Sequence, residues 1–456
     1  MIERTCDVAI VGAGTAGLKA YKAALAAGSD VLLIEKGPGG STCTRHGCMP
    51  SKLLIAAGRT AHVARGAGVF GIGVTGVTVD GPAVLARMRR MRDGFVQSVL
   101  DSYQAIPDER RIHGEARFAG VDTLTVGDTR VTAREIVIAV GATPSVPPPL
   151  DPARALIHTH ETIFEIADLP RRLAVVGAGP QGLELAQAFA RLGVAVTLLD
   201  HATAIGHLKD PDAARIAQEA FAGVFDLHLG VEVSAELAGA DKSDGAVVRW
   251  TGDSAGEVTV DLILVSAGQK PQLDALNLNA TGLALDDHGT PCFDHVTRRC
   301  GDSGIFIAGD AGVWRPVLHE AARGGRIAGN GTAGRDAPPQ RPALAIAFCE
   351  PNLVEVGMPF TDLPDGAIVG CAMASENGRT KVDGETAGVV RLYADRDGLM
   401  LGATIVAADG EHLGQSVALA IDRGMTLAEF ADQSWYHPTV EELLQTAARD
   451  GAGLPD

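Results

Sequence analysis

One pattern, Gly-x-Gly-x-x-Gly, constrains this chain most, because it occurs twice between a predicted strand and a predicted helix. The first copy consists of Gly12, Gly14 and Gly17 and follows the apolar strand at residues 7–11. Its glycines allow a tight turn, close approach of a pyrophosphate, and close packing of helix on strand. The helix N-terminus attracts phosphate. Glu35 ends the next predicted strand, where a carboxylate can accept hydrogen bonds from ribose hydroxyls.

The second copy consists of Gly177, Gly179 and Gly182, and Asp200 ends the strand after its helix at the same spacing as Glu35. A single copy is weak evidence, since a structural glycine turn produces the same letters. Two copies, each in a βαβ unit and each followed by an acid, predict two dinucleotide sites. We expect Asp200 to bind ribose hydroxyls and to repel a 2′-phosphate, which favours NAD over NADP.

A third segment distinguishes the two sites. Residues 305–308 form an apolar run that ends in Gly309 and Asp310. Gly309 permits close backbone approach, and Asp310 can hold a polyol such as ribitol; the alternative is an ordinary turn at the end of a strand. Together with the two fingerprints, this segment predicts FAD at the first site and a nicotinamide dinucleotide at the second.

Two cysteines, Cys43 and Cys48, are four residues apart and precede Pro50. Proline suits the first turn of a helix, and a thiol at a helix start near Arg45 and Lys52 should ionise readily. The pair predicts a redox-active disulfide. A zinc half-site would need a second Cys or His pair nearby, so we predict no metal. Two unrelated buried cysteines are the other alternative.

These features together resemble the pyridine nucleotide-disulfide oxidoreductases, whose redox motif usually reads G-G-T-C-x4-C-x-P-S-K. Within that family, the Pro-Ser-Lys ending and the segment H-P-T-x-x-E resemble the dihydrolipoyl dehydrogenases most. The resemblance covers nearly the whole chain. It also includes Glu184, the turn that begins at Gly268, the Gly309-Asp310 motif and residues 318–322.

The resemblance implies roles for the cysteines and for a histidine near the C-terminus. Cys48 would face the flavin as a charge-transfer thiolate, and Cys43 would exchange with the substrate dithiol or disulfide. His437 would be the acid–base, supplied by the partner subunit of a homodimer, with Glu442 orienting its imidazole. Glu441 is the other candidate for the orienting carboxylate.

Further residues would contact the flavin according to the same resemblance. Lys52 and Glu184 would pair beside its N5 atom, and the helix that starts near His319 would point its positive end at the N1–C2 oxygen region. His46, inside the cysteine loop, is a rival base to His437. Gly141 closes Ala-Val-Gly where the family usually has Ala-Thr-Gly.

The remaining alternatives concern the substrate. Gln269 stands where the family often has arginine and Cys349 where it often has threonine, and such departures leave a lipoyl-carrying protein partner open. Besides dihydrolipoyl dehydrogenase activity, the chain could reduce another small-molecule or protein disulfide with NAD(P)H. A flavoprotein scaffold without catalysis is the non-enzyme alternative, which Cys43, Cys48 and His437 disfavour.

Charge and length complete the prediction. A net charge of −17 disfavours nucleic acid, and the arginines at 87, 89, 90 and 92 are expected to form a solvated helix surface. We expect no membrane span, and the irregular cysteines predict a cytoplasmic protein. The predicted fold is α/β, with two Rossmann-like domains and a C-terminal α+β dimerisation domain. The predicted segments are 1–150 (FAD), 151–270 (NAD), 271–337 (FAD, second part) and 338–456 (dimerisation).

Overall fold

The computed structural model describes residues 1–455 and divides into two compact units. Unit 1 comprises residues 1–50, 88–145 and 269–340, and unit 2 comprises residues 51–87, 146–268 and 341 onward. The α-helices, in chain order, are α1 Thr15–Ala26, α2 Thr42–Arg45, α3 Cys48–Gly66, α4 Gly81–Gln104, α5 Pro180–Arg191, α6 Pro211–Ala220, α7 Leu318–Gly331, α8 Gly378–Asp383, α9 Gly410–Asp422, α10 Leu427–Ala431 and α11 Glu442–Ala452.

The strands, in chain order, are β1 Ile2–Val11, β2 Val31–Glu35, β3 Arg111–His113, β4 Ala116–Phe118, β5 Thr123–Val126, β6 Thr129–Ile138, β7 Ala142–Pro144, β8 Ile157–His158, β9 Arg172–Val176, β10 Ala195–Leu199, β11 Asp226–His228, β12 Val231–Leu237, β13 Ala246–Gly252, β14 Gly256–Val260, β15 Leu262–Val265, β16 Gln269–Pro271, β17 Ile305–Ile307, β18 Leu344–Ala347, β19 Asn352–Gly357, β20 Ile368–Met373, β21 Val389–Ala394 and β22 Met400–Ala407.

Unit 1 is built on a seven-stranded sheet with the order β3-β2-β1-β6-β5-β4, in which β17 also pairs with β6. β1 pairs in parallel with β2 and β6, and its last four residues are buried. Because both faces of such a parallel region are covered, its strands read as continuous apolar runs. The first predicted βαβ unit is therefore confirmed as β1, α1 and β2.

Helices α1 and α7 pack with their backbones in contact in unit 1. A Cβ atom added to Gly325 would overlap the backbone of Ala16, and one added to Gly329 would overlap that of Ala20. Only glycine permits this approach. The contact holds the helix of the first fingerprint against the helix that begins at Leu318.

Unit 2 contains a parallel sheet of order β11-β10-β9-β15-β8 and an antiparallel sheet of order β12-β13-β14. β9 and β10 pair in parallel, and α5 connects them, so the second predicted βαβ unit is also confirmed. The apolar residues of β9 and β15 pack with those of β12 and β13 in one core.

The last part of unit 2 is an antiparallel sheet of order β18-β19-β22-β21-β20, covered by α9, α10 and α11. The turn at residues 395–398 joins β21 to β22. Strand β19 contributes buried residues to the core. The predicted α+β arrangement is confirmed.

The arginine run lies on α4 as predicted, but the expectation that all four side chains form a solvated surface was wrong. Arg87 and Arg90 are exposed, whereas Arg92 is 8% exposed, and its Nε lies 2.9 Å from the carboxylate of Asp93. A long guanidinium side chain can bury its stem on an apolar helix face while its head stays paired. Separately, no helix within residues 1–455 is long and apolar enough to cross a membrane.

Candidate active site

The turn between β1 and α1 has the geometry that the first fingerprint predicts. Gly12 has φ of +106°, and a Cβ atom there would collide with the carbonyl of Ala139. A Cβ atom on Gly17 would collide with the carbonyl oxygen of Gly12. By contrast, the nearest atom to a Cβ on Gly14 would be 3.9 Å away, at Gly40. The space next to Gly14 is therefore open, at the start of a helix whose first N–H groups have no side-chain cap.

Glu35 closes this turn from the end of β2. Its Oε2 atom accepts a hydrogen bond from the N–H of Ala13 at 2.6 Å, and Oε1 accepts one from Gly37 at 2.7 Å. The side chain is half-buried. Both donors are backbone groups, so the carboxylate retains acceptor capacity for ribose hydroxyls.

Asp310 is a carboxylate without a protein partner. Within residues 1–455 its side chain makes no hydrogen bond or ion pair, and burial raises its pKa above the ordinary range. Gly309, with φ of +72°, places this turn against α1, since a Cβ there would be 2.9 Å from that of Ala16. An unpaired carboxylate beside the open fingerprint fits a ligand that carries hydroxyl groups, as the ribitol and ribose of FAD do.

Three other residues were predicted to contact the flavin, and their surroundings neither support nor oppose that role. His319 is the second residue of α7 and is exposed. Gly141 has φ of +73° directly before β7, which suits a turn that other residues would strain. Lys52 lies in unit 2, where its partner is Glu184.

Cys43 lies in α2, and Cys48 is the first residue of α3; both are half-buried. Ser41 caps α2, because its Oγ accepts a hydrogen bond from the N–H of Cys43 at 3.2 Å. A Cβ on Gly47 would lie 3.1 Å from the Cα of Cys43, so the turn between the two helices is tight. As the first residue of a 19-residue helix, Cys48 is placed where the helix dipole stabilises a thiolate.

The two cations expected to activate the cysteines are engaged elsewhere. Arg45 donates a hydrogen bond to the carbonyl of Gly39 at 3.0 Å and thus braces the loop. Lys52 Nζ lies 2.8 Å and 3.0 Å from the two carboxylate oxygens of Glu184, so the predicted ion pair is present. Glu184 also accepts the N–H of Phe348 at 2.9 Å, and its side chain is 5% exposed.

A histidine–carboxylate pair stands near the C-terminus of the described chain. His437 Nδ1 lies 3.0 Å from Glu442 Oε1, and Glu442 Oε2 accepts the N–H of Thr439 at 3.0 Å. Burial alone would raise the pKa of Glu442, but the hydrogen bonds from Thr439 and His437 outweigh it and lower that pKa. An ionised Glu442 favours the tautomer with the proton on Nδ1, which leaves Nε2 as a proton acceptor. The imidazole is 77% exposed.

The geometry thus favours Glu442 over Glu441 as the orienting carboxylate. His46 follows α2 as its C-cap and is half-buried in the cysteine loop, so the rival base stays open as a hypothesis. Within residues 1–455, no group of three or more His, Cys, Asp or Glu side chains is arranged to hold a metal ion.

The second fingerprint repeats the glycine geometry of the first. Gly177 has φ of +107° and no room for a Cβ beside Ser266, and a Cβ on Gly182 would collide with Gly177. Gly268, with φ of +106°, follows β15 and has open space around it. Gly179 differs from Gly14, since a Cβ there would be 3.1 Å from Cε1 of His207.

Asp200 is more enclosed than the sequence indicates. Its side chain is 2% exposed and accepts the N–H groups of Ala178 and Ala202, and it lies 3.0 Å from His201 Nδ1 and 2.9 Å from His207 Nε2. Burial alone would raise its pKa, but the hydrogen bonds from His207, Ala202 and Ala178 outweigh it and lower the pKa.

His207 was not predicted as a site residue from the sequence. The only local signal was the pair Gly206-His207 soon after Asp200, because a glycine next to a polar residue permits a turn with positive φ. Phe348 was also missed, since its N–H reaches Glu184 from 164 residues away.

Comparisons with known proteins match the motifs. The family model described as pyridine nucleotide-disulphide oxidoreductase matches residues 6–325, and the model of that family's dimerisation domain matches residues 344–448. A dihydrolipoyl dehydrogenase of Halobacterium salinarum is 32% identical, covering 99% of this chain and 97% of its own length. A mercuric reductase of Shigella flexneri is also 32% identical, covering 97% of this chain and 80% of its own length.

Solved structures show the same fold. LpdA from Mycobacterium tuberculosis superimposes with a TM-score of 0.83 at 25% identity, covering 98% of this chain and 99% of its own. The HOCl-induced flavoprotein disulfide reductase RclA from Escherichia coli superimposes with a TM-score of 0.82 at 22% identity, covering 97% and 99%. The fold class predicted from the sequence is confirmed.

Proposed function

We propose that this chain, which belongs to the pyridine nucleotide-disulphide oxidoreductase family, is a dihydrolipoyl dehydrogenase. The family uses FAD and NAD(P), so the chain is an FAD-dependent oxidoreductase that couples a nicotinamide to a dithiol or disulfide. The observation that carries the choice of a dithiol substrate is the exposed imidazole of His437, held through Nδ1 by Glu442.

The proposed exchange begins with proton removal. A thiol attacks a disulfide only as a thiolate, so His437 Nε2 takes the proton of one thiol of dihydrolipoamide. The thiolate attacks the sulfur of Cys43 in the Cys43–Cys48 disulfide, a mixed disulfide forms, and Cys48 leaves as a thiolate. Glu442 stabilises the imidazolium that results.

The second half of the exchange releases the oxidised product. The second thiol of the substrate passes its proton to the departing Cys43 sulfur and attacks the substrate sulfur bound to Cys43, which closes the lipoamide disulfide and frees Cys43 as a thiol. The substrate has then lost two electrons and two protons, and the cysteine pair holds the two electrons. Bound FAD supplies the route by which these electrons reach NAD⁺ and form NADH.

The residues around both proposed cofactors support this assignment. We assign FAD to the first fingerprint, where Glu35 has spare acceptor capacity and Asp310 lacks a partner. We assign the nicotinamide dinucleotide to the second, where Gly179 is the N-cap of α5 and leaves the first N–H groups of that helix without a side-chain cap. The charge of Asp200 supports a preference for NAD over NADP, because it repels a 2′-phosphate.

We further propose a homodimer in which His437 of one subunit serves the cysteines of the other. The match of residues 344–448 to a dimerisation domain and the exposure of the His437 side chain support this arrangement. We also propose a cytoplasmic location, where reduced thiols are abundant.

Variants of the histidine–carboxylate pair test the proposed substrate chemistry. We expect His437→Gln to lower kcat/KM for dihydrolipoamide by about 100- to 10,000-fold, because no other group at this position takes the proton. Glu442→Gln should lower it by about 10- to 100-fold. Glu441→Gln is the matched control and should keep wild-type activity, since Glu441 makes no bond to the imidazole.

The readout is steady-state rates with dihydrolipoamide and NAD⁺, and with NADH and a panel of lipoamide, oxidised glutathione and Hg²⁺. Lipoamide should be the best oxidant. A higher kcat/KM for glutathione disulfide or Hg²⁺ would replace the proposed substrate with that one, which the mercuric reductase relatives make a specific alternative. If flavin-loaded protein turns over none of these substrates, that result would favour the alternative of a flavoprotein scaffold without catalysis.

Mixed dimers test the shared site. We expect Cys43→Ser and His437→Gln proteins to be nearly inactive alone. After subunit exchange they should recover about a quarter of wild-type activity, because half of the dimers carry one intact site formed by both chains. If Cys43 and His437 act within one chain, every site carries a defect and mixing restores no activity.

A further inference from the structure

We infer that the side chain of His207 blocks the second fingerprint until it rotates away, and that it thereby sets the affinity of this chain for dinucleotides. The inference rests on the proposed binding of the nicotinamide dinucleotide at this fingerprint. Its basis is that one imidazole does two things at once: it fills the space next to Gly179, and it bonds Asp200.

The space next to Gly179 is the space a pyrophosphate needs. The second glycine of the fingerprint lacks a side chain so that the pyrophosphate can reach the backbone and the helix N-terminus. A Cβ on Gly179 would lie 3.1, 3.4 and 3.8 Å from Cε1, Nδ1 and Nε2 of His207. The ring therefore occupies the approach to the first turn of α5.

The same ring takes up an oxygen of the acid that a ribose would need. His207 Nε2 lies 2.9 Å from Asp200 Oδ2, which also accepts the N–H of Ala178. His201 and the N–H of Ala202 engage the other oxygen. Each oxygen of an ionised carboxylate has about two acceptor positions, so both positions of Oδ2 are used. Asp200 Oδ2 can accept a ribose hydroxyl only after one of its two donors leaves.

The backbone around His207 is fixed, so the side chain is the part that can move. The N–H of Gly206 donates to the carbonyl of Ala178 at 2.9 Å. Gly206 has φ of +64° and His207 has φ of +59°, and Gly206 packs tightly on Leu353. The imidazole is 43% exposed, so it can rotate towards solvent while the loop keeps its bonds to the fingerprint.

Rotation of His207 would clear both obstacles together. The approach to Gly179 would open, and Asp200 Oδ2 would gain an acceptor position for ribose. For a ligand that binds only the open state, the apparent dissociation constant is the intrinsic one divided by the fraction of protein in the open state. Removal of the ring should therefore strengthen dinucleotide binding.

The test is calorimetric binding of NAD⁺ and ADP-ribose to the FAD-loaded protein. We expect His207→Gly to bind both about three- to tenfold more tightly than wild type, as expected when a mostly closed state is removed. Glycine suits the positive φ at this position, so the loop conformation is kept. His201→Ala is the matched control, because His201 bonds Asp200 without facing Gly179, and it should change binding less than twofold. Adenosine, which has the ribose but lacks the pyrophosphate, should gain less from His207→Gly than ADP-ribose does.

Equal or weaker binding of ADP-ribose by His207→Gly would overturn the inference, and weaker binding would make His207 a phosphate ligand. His207→Asn, which also tolerates positive φ, repeats the test if the glycine variant is unstable. If wild type and both variants bind neither NAD⁺ nor ADP-ribose, the proposed dinucleotide site fails as well. If wild type binds these ligands and the variants bind them no more tightly, the dinucleotide site stands and only the inference about His207 is wrong.

Discussion

The two fingerprints have the same glycine spacing but differ in what surrounds them. In both, the acid after the second strand accepts the N–H next to the first glycine, from Ala13 to Glu35 and from Ala178 to Asp200. Glu35 is half-buried and accepts hydrogen bonds from two backbone N–H groups, whereas Asp200 is 2% exposed and is also bonded by His207, with His201 3.0 Å away. The same motif therefore predicts the same turn geometry. The segment after the acid determines whether a ligand can bind without a side chain having to move.

Substitutions of two glycines in the first fingerprint should have different effects, one on folding and the other on cofactor binding. The effect on folding should be the largest of those predicted here. Gly17→Ala drives a Cβ into the Gly12 carbonyl and should lower the free energy of unfolding by about 3 kcal/mol or more, or abolish soluble protein. Gly14→Ala has open space, so the folded chain should persist while FAD content falls. Circular dichroism and flavin absorbance of both variants measure this. Full FAD retention by Gly14→Ala would show that the open space is not the cofactor's.

The two acids should differ in their contribution to stability. Asp200→Ala leaves two N–H groups and the imidazole of His207 without their acceptor and should lower the free energy of unfolding by about 2–4 kcal/mol. Glu35→Ala should cost about 1 kcal/mol, since it removes the acceptor of only two backbone N–H groups, those of Ala13 and Gly37. Urea unfolding of both variants measures the difference.

The effect of pH sharpens that comparison. Because the folded-state pKa of Asp200 is lowered, its stabilisation is present at neutral pH and is lost as the pH falls through that lowered pKa. The gap between wild type and Asp200→Ala should therefore close in acid. A gap that does not depend on pH would show that the charge of Asp200 contributes nothing.

Substitution of Asp310 should raise the free energy of unfolding, whereas substitution of Asp200 lowers it, and the effect should be the smallest of those compared. Burial raises its folded-state pKa, so the ionised carboxylate costs stability once the pH rises above its ordinary value. In protein freed of FAD, Asp310→Asn should raise the free energy of unfolding at pH 7 by about 1 kcal/mol and weaken rebinding of FAD. Melting curves at acid and neutral pH measure it; a destabilised Asp310→Asn apoprotein would mean that the carboxylate has a partner in solution.

Residues that act within a short stretch were predictable from the sequence. The glycine turns and the acid after each second strand are set by local spacing, and each has the expected local geometry. The bond between His437 and Glu442 is present as the resemblance implies. The resemblance, not the spacing, supplied the pair of Lys52 and Glu184, which lie 132 residues apart.

The features that the sequence could not give depend on contacts between distant segments. His207 covers Gly179 because Gly206 and His207 adopt positive φ while the loop packs on Leu353, and no local pattern encodes that packing. The burial of Asp200 likewise requires donors from three segments. The burial of Arg92, on a helix whose pattern predicts a solvated surface, was likewise not evident from the sequence.

The most direct test of the central claim is an anaerobic two-step mixing of the FAD-loaded protein. Dihydrolipoamide should first produce a long-wavelength charge-transfer band, which Cys43→Ser protein shows without reductant and Cys48→Ser protein never shows. NAD⁺ added next should abolish the band and form NADH, while NADP⁺ should react about tenfold more slowly, as a charge repulsion of about 1.4 kcal/mol at Asp200 requires. No band with dihydrolipoamide, or a band that NAD⁺ leaves unchanged, would contradict electron transfer from a dithiol through the cysteine pair to NAD.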